Sequence, residues 1–244
     1  MLRIKTVEIK MTVRSDQEEA VLAALLLERS TAESREIYFY ETPALALFEK
    51  GLMLRARIVH GGRDDSTVKM RPADPALIPD VWEGREGFKV EGDSVGETIV
   101  YAASLTEKQK RQTIEEVAHG DRPPGDLFSA DQGRFLKEVS PVAEPFGGLV
   151  VMGPVDVDRW EVLRPGLSGE LCAELWRISS GVTALEVSMR VEVEKVVDLR
   201  NALVRYLSER VTGFDVALGQ ETKTKKALEH FAGSRPPGAP ARPP

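Results

Sequence analysis

A two-residue charge rhythm constrains this chain more than any other feature, and it is clearest in "GLMLRARIVHGGRDDSTVKMRP", residues 51–72. Arg55, Arg57, Lys69 and Arg71 fall two apart within each half, while Leu54, Ala56, Ile58, Val68 and Met70 fill the alternate positions. Successive side chains of a strand point to opposite faces. The stretch therefore reads as a hairpin turned through "HGGRDDS", with one apolar face and one cationic face. Like charges side by side repel, unless the sheet faces water or an anion sits among them. Which of these holds is the functional question.

The rhythm recurs along the chain. "TVEIKMTV" sets Val7, Ile9, Met11 and Val13 against Thr6, Glu8, Lys10 and Thr12. "REGFKVEGD" sets Phe88 and Val90 against Lys89, Glu91 and Asp93. "TALEVSMRVEVEK" sets Val187, Met189, Val191 and Val193 against Glu186, Ser188, Arg190, Glu192 and Glu194. Further strands read at "EIYFYETP", "GRFLKEVS", "PVDVDRWEVL" and "LCAELWRI". Helices read at "DQEEAVLAALLLER", opened by Ser15 at capping-box spacing from Glu18, and at "ALALFEKG", closed by Gly51. Others read at "LTEKQKRQTIEEVAHG" with a Thr106 cap, at about residues 198–210, and at "TKTKKALEHF". Few strands are separated by helices long enough for parallel crossovers, so an antiparallel α+β arrangement is expected.

With 244 residues and 42% hydrophobic content the chain can build a real core. One domain is expected over residues 1–232, with "HGDRPPGD" the stretch most like an internal boundary. Residues 233–244, "GSRPPGAPARPP", read as a disordered tail. The net charge of −6 argues against a bulk nucleic-acid binder, so an anion site must be a local cluster. Cys172 is the one cysteine, which excludes an internal disulfide and fits a reducing, cytoplasmic location; it reads as a small buried apolar residue. "MLRIKTVEIKM" lacks the apolar run of a signal peptide, and no stretch approaches the roughly 20 apolar residues of a membrane span. Glycine-rich phosphate loops, dinucleotide fingerprints, HExxH and serine nucleophile elbows are absent from the sequence. His60, His119 and His230 share no useful spacing and read as surface residues; the three tryptophans read as packing.

Two accounts of the charged faces stand open on periodicity alone. In one, an antiparallel sheet has a wet face. In the other, the sheet closes into a barrel with its charges inward. Cations crowded into a poorly hydrated space repel more strongly as the dielectric falls, and persist around an anion of high charge density. A polyphosphate suits, because Lys and Arg pair with its oxygens, Arg bidentately. The carboxylates would then hold a hard divalent cation.

The motifs, in order, resemble those of the CYTH superfamily, the triphosphate tunnel metalloenzymes. "TVEIKMTV" resembles the first-strand ExExK motif, "YFYETP" the Tyr-Asp-Thr-Pro segment, and "GLMLRARIV" the Leu-Arg-hydrophobic-Arg strand. "TVKMRP", "FKVEGD", "LEVSMRVEVE" and "TKTK" are similar to the later Lys, basic-then-acidic, acidic and C-terminal Lys motifs. The resemblance implies a closed, antiparallel, eight-stranded β-barrel with a charged interior and helices packed outside. It implies binding of a triphosphate compound with Mg2+ or Mn2+, and the family's activities are triphosphatase and class IV adenylate cyclase. Carried over, Lys10 and Glu8 are the catalytic pair. Arg55, Arg57, Lys69, Arg71, Lys89, Arg190 and Lys223 or Lys225 hold the phosphates, and Glu8, Glu91, Asp93 and Glu186 hold the metal. Thr6 and Ser188 depart from the pattern, standing where carboxylates are usual, and Lys89 stands where Arg is. The cationic side is intact while the acidic side is thinned, so two outcomes are expected: a metal-dependent hydrolase of a small triphosphate, or a module that holds polyphosphate or nucleotide without cleaving it. A cyclase is the third.

Overall fold

In the computed structural model the charge rhythm becomes the wall of a closed barrel. Residues 4, 6–95, 98–215 and 222–234 are described; the greater part of the expected tail, residues 235–244, lies outside them. The strands are β1 (Thr6–Thr12), β2 (Glu33–Glu41), β3 (Leu52–Val59), β4 (Asp65–Met70), β5 (Phe88–Val95), β6 (Thr98–Lys108), β7 (Val150–Leu163), β8 (Glu170–Ser179) and β9 (Val182–Glu192). The helices are α1 (Glu18–Ala24), α2 (Ala46–Glu49), α3 (Arg111–His119), α4 (Ala130–Val139), α5 (Val196–Ser208) and α6 (Lys223–Gly233). Around the wall the order is β1-β5-β6-β4-β3-β2-β7-β8-β9, and β9 returns to β1.

Two features correct the expectation of eight antiparallel strands. Among the described residues the barrel has nine, and β1 runs parallel to β5, with Val7 opposite Gly92 and Glu8 opposite Asp93. Gly92 permits that pairing: a Cβ there would stand 2.8 Å from the Val7 side chain and 3.0 Å from Ile99. β6 extends through residues that read as the start of a helix. Thr106 is therefore no cap; its hydroxyl meets that of Thr67 on the neighbouring strand at 2.9 Å.

"GRFLKEVS" is not a strand but most of α4. Ser129 and Gln132 form a reciprocal capping box at its start, and Phe135 and Leu136 enter the core from it. The Ser15–Glu18 box does not form. Glu18 instead accepts from the Thr183 hydroxyl at 2.6 Å and the Leu185 N–H at 3.2 Å, tying α1 to β9.

Packing sets the faces. Val7, Ile9 and Met11 of β1 pack outward against Val21 and Leu25 of the α1 region and Leu203 and Leu207 of α5. Leu52, Leu54, Ala56 and Ile58 of β3 meet Ile114 and Val117 of α3 and Phe135 and Leu136 of α4. Helices thus cover the apolar outside, and the alternate residues line the interior. A third cluster joins inner residues Ile37, Phe39, Trp176 and Ala184 to Ala227 and Leu228, which lays α6 along the β2–β7–β8–β9 side of that interior. No described helix is long and apolar enough to cross a membrane.

Candidate functional site: an ion-paired tunnel

Alternate residues of β1, β3, β4, β5 and β9 bring polar groups to the inner face of the wall. β1 brings Glu8 and Lys10, β9 brings Glu186, Ser188 and Arg190, and β5 brings Glu91 and Asp93. β3 and β4 bring Arg55, Arg57, Asp65 and Lys69, with Arg71 just past the end of β4.

The Lys10 ammonium lies 3.1 Å from Glu8 Oε2 and 2.8 Å from Asp93 Oδ1, while Arg71 Nη2 lies 3.4 Å from Asp93 Oδ2. The Ser188 hydroxyl donates to Glu8 Oε1 at 2.8 Å. Asp93 is 1% exposed, and neither of its oxygens accepts a well-aligned hydrogen bond, so its contact with Lys10 is ionic rather than directed. Arg190 donates to Glu91 at 2.7 Å, and Arg57 forks onto both oxygens of Asp65 at 3.1 and 2.6 Å. At the start of α6 the Lys223 ammonium bonds Glu174, sits 2.8 Å from Glu186 and lies over the Trp176 ring. Arg159 and Arg35 complete the surroundings of Glu174 at 3.6 and 3.9 Å.

Two cations stand apart. Among the described residues neither Arg55 nor Lys69 forms a close ion pair with a carboxylate, Lys69 acting on Glu91 and Asp93 only from farther off, and the Arg55 Nε is buried without an acceptor. Their protonation equilibria carry the strain. Burial and then Arg57 pull Arg55 down to about 9, and burial and then Lys10 pull Lys69 below its ordinary value. The paired groups go the other way. Burial would lower Lys10, but Glu186, Glu8 and Asp93 outweigh it and raise it far above the usual lysine. Burial would raise Asp93, Glu91 and Glu174, yet Lys10, Lys69 and Lys223 respectively hold them below the ordinary carboxylate range. Most of the lining is thus ion-paired, while Arg55 and Lys69 are the cations whose charged form burial and like-charged neighbours disfavour.

The inner lining gathers Glu8, Lys10, Arg55, Arg57, Lys69, Arg71, Glu91, Asp93, Glu186 and Lys223. Lys89 and Arg190 belong to the same faces but are exposed. Lys225 pairs with Glu229 one turn along α6 at 3.6 Å. Each of the four carboxylates assigned to metal is engaged by a protein cation. Among the described residues no three Asp, Glu, His or Cys side chains gather as a metal site. Glu8 and Asp93 are the pair whose chemistry suits a divalent ion: hard oxygens, adjacent in register, with those of Asp93 lacking directed donors. Lys10 lies between them.

The sequence reading did not single out Asp65, Arg35 or Arg159. Asp65 was findable, because it continues the two-residue row Asp65, Thr67, Lys69; Arg35 and Arg159 depend on which strands become neighbours. The acid of "YFYETP" is structural. Glu41 is buried and accepts from the N–H groups of Thr42, Leu47 and Phe48 at 2.6, 3.0 and 2.7 Å, pinning the first turn of α2. Cys172 is half-buried on the inner face rather than in the apolar core, and burial and then Glu174 push its thiol up to about 11.

Geometry of this kind defines a class: a closed barrel, helices outside, charges paired within. No family model and no curated protein matches the sequence. Solved structures do. A candidate adenylate cyclase from Bacillus halodurans superposes with a TM-score of 0.61 at 14% identity, covering 91% of this chain and 98% of that one. A candidate adenylyl cyclase from Hippeastrum, described as having a dominant triphosphatase activity, does so with a TM-score of 0.61 at 18% identity, covering 93% and 96%. The chain therefore shares the fold of these structures, a closed barrel with helices packed on it, while its nine strands and parallel β1–β5 pair differ from the eight antiparallel strands expected.

Proposed function

We propose that this chain takes a triphosphate compound, inorganic or organic, into the tunnel and hydrolyses it in the presence of Mg2+ or Mn2+. The observation that carries the reading is the pair Arg55 and Lys69, enclosed cations without a close carboxylate partner on the wall that also holds Arg57 and Arg71. Phosphate oxygens supply negative charge and accept charge-assisted bonds from both, bidentate from the guanidinium. Lys89 and Arg190, and Lys223 or Lys225 from α6, are the further phosphate contacts in this reading.

Hydrolysis needs a water held in line with the bond to be broken, and little covalent chemistry from the protein. Glu8, oriented by Ser188, is the carboxylate that positions that water and accepts its proton as oxygen bonds to phosphorus and the bridging P–O bond breaks. Lys10 lends positive charge to the phosphoryl group in transfer. A divalent ion held by Glu8 and Asp93, with Glu91 and Glu186 as further carboxylates, would supply Lewis-acid charge at the phosphoryl oxygens.

A second reading is favoured by the ion pairs themselves. Every carboxylate that would serve a metal already holds a protein cation, which suits a chain that binds polyphosphate without cleaving it. The Hippeastrum protein's described triphosphatase activity supports the first. Tripolyphosphate and a set of nucleoside triphosphates, incubated with Mg2+ or Mn2+, separate the two. Phosphate release that EDTA abolishes and that falls by about 100-fold in Glu8→Gln is the expected result. Calorimetric binding with no turnover under either ion selects the holding role, cyclic AMP from ATP selects a cyclase, and no binding at all removes the tunnel reading.

A further inference from the structure

Lys10 stands where a carboxylate pair would otherwise take a cation. Because β1 and β5 run parallel, Glu8 and Asp93 lie opposite one another and face inward together. The Lys10 ammonium bridges them at 3.1 and 2.8 Å. The remaining oxygens are also met: Glu8 Oε1 by the Ser188 hydroxyl at 2.8 Å, and Asp93 Oδ2 by Arg71 at 3.4 Å. The flanking carboxylates offer no relief, since Glu91 is held by Arg190 and Glu186 by Lys223. Two carboxylates faced by one ammonium and one guanidinium are already neutral.

A hard divalent ion such as Mg2+ takes about six oxygen ligands, one or two of them carboxylates and the rest waters or phosphate oxygens, so it would need the Glu8 and Asp93 oxygens that Lys10 now meets. Entering between Glu8 and Asp93 would set two positive charges against the Lys10 ammonium within a few ångströms, and their repulsion grows in the partly dehydrated interior. The ammonium has the opposite advantages. It is tethered to β1, so no free ion has to be captured, and its charge and three N–H donors can also serve a phosphate oxygen.

We propose that Lys10 is a built-in cation that occupies the Glu8–Asp93 site in place of a divalent metal, so that the chain takes up polyphosphate without one. The clause on uptake rests on the tunnel being a triphosphate site; the occupation of Glu8 and Asp93 by Lys10 does not. Uptake and turnover thereby separate: in turnover a divalent ion would have to displace Lys10 from the pair, so EDTA stops turnover and leaves uptake.

Manganese itself is the probe, its unbound fraction read by electron paramagnetic resonance on the full chain with no phosphate added. The native chain should bind Mn2+ weakly. Lys10→Met should tighten binding by about tenfold or more, the size of effect that groups around a metal site exert. Lys10→Arg should show no gain, and Lys10→Met combined with Asp93→Asn should lose it. Should Lys10→Met fail to fold by circular dichroism, Lys10→Gln takes its place in the same comparison. Equal Mn2+ affinity in the native chain and the neutral variant overturns the proposal. In parallel, calorimetry of tripolyphosphate binding in EDTA and in Mg2+ should give the same affinity for the native chain; binding only with Mg2+ overturns the uptake clause. If Lys10→Met gains Mn2+ while tripolyphosphate binds under no condition, the tunnel reading fails and the Lys10 assignment stands.

Discussion

Arg55 carries the plainest tension between stability and binding at the scale of a single residue. Its Nε is buried without an acceptor and its neighbour Arg57 is a like charge already given to Asp65. Replacing it with a neutral side chain of similar length removes an unsatisfied buried donor, worth about 1 kcal/mol or more. Arg55→Met should therefore raise the melting temperature by about 2–4 °C, by calorimetry. The same variant should weaken tripolyphosphate binding by about tenfold or more, the value of a lost charge-assisted bond. A variant that is both less stable and undiminished in binding would show that Arg55 serves the fold alone. Lys69 gives the pH counterpart. Burial and Lys10 hold its folded value below 10.5, so the free site sheds this proton at a pH where an unfolded lysine keeps it. A bound polyanion favours the charged form and takes the proton back. Binding should then weaken as pH rises toward 10.5, with proton uptake seen as a calorimetric enthalpy that differs between buffers of different ionisation enthalpy. An enthalpy independent of buffer would remove Lys69 from the anion contact.

Among the elements, α6 does the most to shape the interior, and its hold is electrostatic as well as apolar. Ala227 and Leu228 share one buried apolar cluster with Phe39 and Trp176, while Lys223 at its first turn joins Glu174 to Glu186. Glu174 has its folded value pushed well down by Lys223 against the effect of burial, so it contributes stability above the unfolded value near 4.5 and loses it as pH falls through the folded one. Lys223→Met strands two carboxylates, which should lower stability at neutral pH by about 3 kcal/mol. The deficit should shrink on acidification as the carboxylates protonate, a trend that urea denaturation at several pH values can follow. A deficit that stayed constant with pH would mean the apolar contacts alone hold α6. Element boundaries were partly legible beforehand. β1, β3, β4, β8 and β9 alternate apolar and charged residues, and such a pattern is local. β6 and α4 were misread for opposite reasons: β6 runs through "YAASLTEK" with small and polar residues that resemble a helix start, while "GRFLKEVS" is short enough that its helical core residues, Phe135 and Leu136, pass for a strand. Ser129 and Gln132, at capping-box spacing, were the signal available for α4.

For the whole molecule the consequence of closure is that cations from strands that are not neighbours face one interior. Arg55 and Lys69 lie on β3 and β4, Lys10 on β1, and strands β5 and β6 separate the two groups along the wall. A polyphosphate touching both would brace the barrel across its interior. Ligand that binds only the folded state at 100 times its Kd adds about 2.7 kcal/mol. Tripolyphosphate at that excess should raise the melting temperature by about 5–10 °C. The shift should vanish in Arg55→Met combined with Lys69→Met; if it survives there, the anion binds elsewhere.

Which residues share a face could be read along the chain, because a strand alternates its side chains whatever it pairs with. That was enough to name most of the lining, from Glu8 and Lys10 to Arg190. It could not tell a wet sheet face from an enclosed one, since periodicity is the same in both. Closure, the parallel register that sets Glu8 beside Asp93, and the seating of Lys223 between Glu174 and Glu186 all join residues far apart in the chain. Those pairings depend on how the strands and helices bury their apolar sides together, and they convert a row of repelling charges into an interior whose cations are mostly met by carboxylates.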